Sequence, residues 1–70
     1  MTLHLARQGA TLRLRLGRLL LGEEGREVAG FPARQVRSVA LWGNVRLSTP
    51  ALVFLLRQGV PVFFYSLEGF

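Results

Sequence analysis

The side chains able to do chemistry in this sequence are mostly of one kind. All nine basic residues are arginine and all four acidic residues are glutamate, giving a formal net charge of +5. Arg13 and Arg15 stand two apart in an alternating run, in one row with Thr11, and Arg18, Arg37 and Arg46 extend the same patch. The planar guanidinium forks bidentately onto phosphate, and clustered basic charge is the electrostatic footprint of a nucleic-acid binder. The same composition is equally what arginine-favouring codon usage and solvated strand faces would leave. No aromatic residue interleaves with this arginine row, whereas single-strand stacking platforms depend on one. Trp42 and Tyr65 are assigned instead to core or interface packing.

The remaining groups fall short of a catalytic set. His4 is the single histidine, and the chain has neither Asp nor Cys to pair with it. Glu23, Glu24 and Glu27 gather around one turn; clustered carboxylates can hold Mg²⁺, but these are better read as solvated charges offsetting Arg18 and Arg26. Glu68 belongs to a turn. Ser48 and Thr49 lack a base to activate them, and Gly43-Asn44 is too short to cradle a phosphate. No residue is assigned a catalytic, cofactor-binding or metal-binding role.

The elements that position these groups centre on residues 36–65. Val36 to Trp42 reads as a strand, followed by a short connection through Gly43-Asn44. Ser48 and Thr49 then offer hydroxyls to orphan backbone N–H groups. Pro50 suits the first helical position, and Gly59 suits a left-handed stop. Together they predict a helix near Thr49–Gln58. Its Ala51-Leu52-Val53-Phe54-Leu55-Leu56 run has no polar side, which predicts burial around most of its circumference. Val60 to Tyr65 reads as a strand covered on both faces; if Val62–Tyr65 pairs in parallel with Val36–Leu41 the crossover should be right-handed, and whether the two are direct neighbours is left open by the sequence. Upstream, Thr2–Ala6, Ala10–Leu16, Leu19–Leu21 and Arg26–Ala29 read as a meander of hairpins. The turns are Arg7-Gln8-Gly9, Gly17-Arg18 and Glu23-Glu24-Gly25, and Leu12, Leu14 and Leu16 share one face. Gly30-Phe31-Pro32 closes the meander, and Ala33 to Gln35 makes a helical turn. The expected class is α+β, β-rich: a hairpin meander plus a strand-helix-strand unit, with five or six strands and one helix.

Seventy residues make one domain, burying only about 60% of the unfolded surface. Half of the residues are hydrophobic and mean hydropathy is +0.33, an apolar excess that predicts surface left over for a partner chain or a missing domain. The absence of cysteine gives no sign of an oxidising compartment. The opening residues do not form a signal peptide, and Arg57, Gly59 and Pro61 cut the most apolar region short of the ~20 residues that span a bilayer. The expected location is cytoplasmic. Ser66-Leu67-Glu68-Gly69 reads as a turn and Phe70 as the start of another strand, as expected for the front of a longer protein.

The run Val36-Arg37-Ser38-Val39-Ala40-Leu41-Trp42-Gly43-Asn44-Val45-Arg46-Leu47-Ser48-Thr49-Pro50-Ala51-Leu52, followed by Gln58-Gly59-Val60-Pro61-Val62-Phe63-Phe64, resembles the N-terminal domain of the CRISPR-associated spacer-acquisition integrases. The opening hairpins and Phe31-Pro32 fit too, so the resemblance covers essentially the whole chain. It implies a metal-dependent DNA endonuclease and integrase that inserts foreign DNA into CRISPR arrays in antiviral defence. It further implies a homodimer joined by a small acquisition partner protein and acting on double-stranded DNA. In that family a helical second domain carries the Glu, His and Asp that bind Mg²⁺ or Mn²⁺, and none of these transfers to His4 or Glu68. The chain alone is therefore expected to be a non-catalytic dimerisation domain, 1–70; the alternative is an independent, non-specific DNA-binding module.

Overall fold

The computed structural model describes residues 1–67. Its strands are β1 (Thr2–Leu5), β2 (Thr11–Arg15), β3 (Arg18–Glu23), β4 (Arg26–Pro32), β5 (Ser38–Trp42), β6 (Arg46–Leu47) and β7 (Val62–Tyr65), with one helix, α1 (Thr49–Arg57), among the described residues. The class is α+β and strand-rich, as expected, with seven strands in the described residues rather than five or six. A 3₁₀ turn at Ala33–Gln35 matches the predicted helical turn. The added strand is β6, inside what reads as a connection: it is two residues long and has no alternation to betray it.

The strands form two sheets, a parallel one in the order β1-β5-β7 and a second in the order β4-β3-β2-β6. Leu3, Leu5, Val39 and Leu41 from the first and Leu12, Leu19 and Leu21 from the second join Ala51 and Leu55 of α1 in one buried cluster. β5 and β7 are direct parallel neighbours, which the sequence leaves open: Val39 to Trp42 pair in register with Val62 to Tyr65.

The expected opening hairpin is not present. β1 pairs in parallel with β5, Thr2 opposite Ser38 through Leu5 opposite Leu41, so residues 7–9 cross between sheets instead of turning back. Gln8 holds that crossing. Its Nε2 donates to the carbonyls of Ala6 and Trp42, each at 2.8 Å, and its Oε1 accepts from the Asn44 N–H at 2.7 Å. The Gly9 N–H also donates to the Asn44 carbonyl. Turn composition at 7–9 cannot distinguish the two outcomes, because both need Gly9 at positive φ (86°).

The next turn also moves. Leu16 and Gly17, not Gly17 and Arg18, are its central residues, with φ of 49° and 75°. Positive φ at both positions marks a type I′ turn, whose twist suits a two-residue hairpin. Leu16 consequently leaves the core row and is 90% exposed. β4 likewise runs on through Gly30-Phe31-Pro32, where the meander was expected to stop.

Ser48 is the N-cap of α1, accepting from the Ala51 N–H at 3.3 Å, and Pro50 lies in the first turn. Gly59, at φ 68°, follows the last turn. The helix is not buried around its circumference: Ala51 and Leu55 face the core, while Leu56 is 65% exposed. The strand after it is not covered on both faces either. β7 is an edge strand, with Phe63 48% and Phe64 68% exposed. Both expectations equate apolar sequence with enclosure, but one helix on two small sheets has only one face to bury. Among the described residues no helix is long and apolar enough to cross a membrane. The expectations for Glu68, Gly69 and Phe70 lie outside the described residues.

Candidate nucleic-acid interface

Alternation in β2 sends Leu12 inward and leaves Arg13 and Arg15 exposed. Register then carries the outer face across the sheet. Arg13 lies opposite Leu20 and Arg15 opposite Arg18 in β3, while Thr11 lies opposite Arg46 in β6. Cross-strand partners share a face, so Arg13, Arg15, Arg18 and Arg46 occupy one side of the four-stranded sheet.

Arg37 does not join them. It precedes β5 of the other sheet, its N–H donates to the Met1 carbonyl, and it borders a different hollow of about 310 Å³ with Arg34, Gln58 and Gly59. Charge alone groups Arg37 with the patch; sheet membership, which the sequence does not show, separates it.

Two features of the arginine face bear on its chemistry. Leu20 is buried yet stands outside the main core cluster; it sits on the outer face, where Arg18 Nη2 and Leu20 Cδ2 both close over Gly30. Arginine stems covering apolar surface while their heads stay wet explain this burial. Arg15 and Arg18 are directly cross-strand at the hairpin end, an arrangement of like charges that is destabilising unless an anion relieves it. Beside Arg13, Thr11, Gly22 and Arg26 line a shallow hollow of about 220 Å³. Gly22 keeps its floor open, since a Cβ there would meet the Arg26 carbonyl at 3.3 Å.

Of the glutamates expected near Arg18 and Arg26, Glu27 brings its Oε1 to the same side of Gly30 as Arg18 Nη2. Among the described residues the one ion pair joins Arg7 Nε to Glu23 Oε2, an exposed contact worth little energetically. Glu24 occupies the β3–β4 turn at φ 50°. His4 lies in the other sheet, opposite Ala40. Among the described residues no three of His, Cys, Asp and Glu stand together closely enough to hold a metal ion. The described residues therefore do not fit a catalytic Mg²⁺ or Mn²⁺.

Sequence reasoning missed the outer face of the parallel sheet. Trp42 and Tyr65 stack there with centroids 4.3 Å apart and an interplanar angle of 18°, and Phe63 continues the row at 6.3 Å from Tyr65. The β5–β7 register, which puts Trp42 opposite Tyr65 and Ala40 opposite Phe63, is the signal that finds it.

Residues 3–70 match the family described as CRISPR associated protein Cas1. Across all 70 residues the chain is 96% identical to the CRISPR-associated endonuclease Cas1 1 of Thermus thermophilus, and it spans 22% of that relative's length.

Proposed function

The chain belongs to the Cas1 family of CRISPR-associated proteins, and from that premise we propose that it is the non-catalytic, dimerising β-domain of a Cas1-type DNA endonuclease and integrase. The chemistry of such an enzyme, with its Mg²⁺ or Mn²⁺, would belong to the larger part of the relative that this chain does not span. The β-domain would bring two copies together, present DNA to them and meet the small acquisition partner. A CRISPR array is reached from the cytoplasm, where this reading places the chain.

The observation that carries the reading is the division of chemistry between the sheets. Arg13, Arg15, Arg18 and Arg46 crowd the outer face of one, whereas the other exposes aromatic and apolar groups. A basic face suits the backbone of duplex DNA, to which phosphate contacts give affinity without sequence preference. It also favours the second reading, a free-standing DNA-binding module, which differs in needing no second copy. Sedimentation equilibrium separates the two. A species of twice 7.8 kDa at micromolar concentration is expected, and a monomer at high micromolar concentration would overturn the dimerising role.

A further inference from the structure

Beyond the Cas1-type reading, and independently of it, we infer that the hollow between the Ala33–Gln35 turn and the end of α1 docks an acidic segment of a partner protein, one aliphatic side chain flanked by carboxylates. Its floor is apolar: Ala33 and Val36 are buried and Val60 is half-buried. Arg34, Arg37 and Gln58 stand exposed around it. Backbone bonds fix the walls. The Val36 N–H donates to the Ala33 carbonyl at 3.3 Å, and the Arg37 N–H donates to the Met1 carbonyl at 2.6 Å. The Met1 amino group in turn donates to the Gln35 carbonyl at 2.6 Å. On the far side the N–H groups of Gln58, Gly59 and Val60 donate back to the carbonyls of Phe54, Leu56 and Leu55. Those last-turn carbonyls are therefore occupied, and the guanidiniums are not needed to cap them.

Charge and shape identify the occupant. Among the described residues Arg34 and Arg37 have no carboxylate partner, the one ion pair being that of Arg7 with Glu23. No glutamate lines this hollow, whereas Glu23 and Glu24 line the one beside Arg13. Two guanidiniums without a neutralising charge select an anion, and their planar forks match a carboxylate or a phosphate. The floor decides between these. A volume of about 310 Å³ lies at the small end of ligand sites and suits a single side chain, whose aliphatic part gains by leaving water there. A nucleic-acid backbone has no such group to insert and would leave the apolar floor wet beneath it. None of the four arginines on the outer face of the other sheet lines the hollow, so a peptide here does not compete with DNA there.

The probe is a fluorescein-labelled peptide with blocked ends, Asp-Glu-Leu-Glu-Asp, titrated with the full chain at low salt and read by anisotropy. Saturable binding is expected. Replacing the central leucine by serine should weaken it about tenfold, and the neutral peptide Asn-Gln-Leu-Gln-Asn should not bind. This peptide series tests the hollow without altering the chain. Arg34→Ala with Arg37→Ala should weaken binding of the acidic peptide about twentyfold. Both positions are exposed, and far-UV circular dichroism of the variant should match the parent. Arg13→Ala with Arg15→Ala removes the same two charges from the other sheet and should change binding by less than about twofold, since distant exposed charges are screened. No saturable binding by the parent, equal loss in the two double variants, or indifference to the leucine would overturn the site. A labelled random duplex that loses affinity in the Arg34, Arg37 variant would also overturn it, and would assign the hollow to nucleic acid. None of these outcomes bears on the sedimentation test of the dimeric reading.

Discussion

Loss of Arg13 and Arg15 should halve the salt dependence of DNA binding. Four arginines share the outer face of the four-stranded sheet. If each displaces one counterion from duplex DNA, log K falls with log salt at a slope of about −0.9 per contact, or about −3.6 in total. Raising salt from about 50 to 200 mM would then weaken the parent by roughly 150-fold. The Arg13→Ala, Arg15→Ala double variant keeps Arg18 and Arg46, so its slope should be about −1.8 and its loss over the same range roughly 12-fold. Arg37→Ala should leave the slope at the parent value, because Arg37 lies beside the other sheet's strand β5. Fluorescence anisotropy with a labelled random duplex, across a salt series, reads all three. A random and an array-derived duplex should bind alike, since backbone contacts carry no sequence information. Equal flattening by Arg37→Ala, or an unchanged slope in the double variant, would refute the assignment of the face.

The fold itself makes further predictions. Gly43→Ala should cost about 3 kcal/mol in urea denaturation. It puts a side chain at φ 73°, with its Cβ 2.5 Å from Gln8 Oε1, combining about 1–2 kcal/mol of backbone strain with loss of hydrogen bonds worth roughly 0.5–1.5 kcal/mol each; the penalty should shrink when Gln8→Ala is already present. Leu55→Ala should destabilise by about 2–5 kcal/mol, against less than ~0.5 kcal/mol for exposed Leu56→Ala, as read from thermal melts. Leu16→Asn should raise stability by about 1 kcal/mol, because asparagine tolerates the left-handed conformation that leucine resists.

What could be read in the sequence was local. Ser48, Pro50 and Gly59 sit at the ends of α1 close to where their chemistry requires, and Ser38–Trp42 and Val62–Tyr65 are strands as their β-branched and aromatic content suggests. Strand partnership was harder. Thr2–Leu5 alternates as an edge strand of either sheet would, and only the hydrogen bonds of Gln8 to residues 42 and 44 show which sheet takes it. Exposure was harder still, since Leu56 and Phe64 are apolar yet 65% and 68% exposed. The alternation of β2 makes the Arg13 and Arg15 row legible, but whether Arg46 or Arg37 shares its face depends on sheet assignment rather than on charge.

The most direct test of the account is a DNA cleavage assay with Mg²⁺ and with Mn²⁺, using the Thermus thermophilus Cas1 endonuclease as positive control. No metal-dependent cleavage is expected from this chain, and none from its Glu23→Gln, Glu24→Gln, Glu27→Gln variant. Glu23 is engaged by Arg7, Glu24 sits in a hairpin turn, and His4 stands in the other sheet, so no ion would be fixed with an open position for a reacting phosphate. Metal-dependent cleavage by the parent chain that the triple substitution abolishes would contradict the account and make the β3–β4 turn an active site.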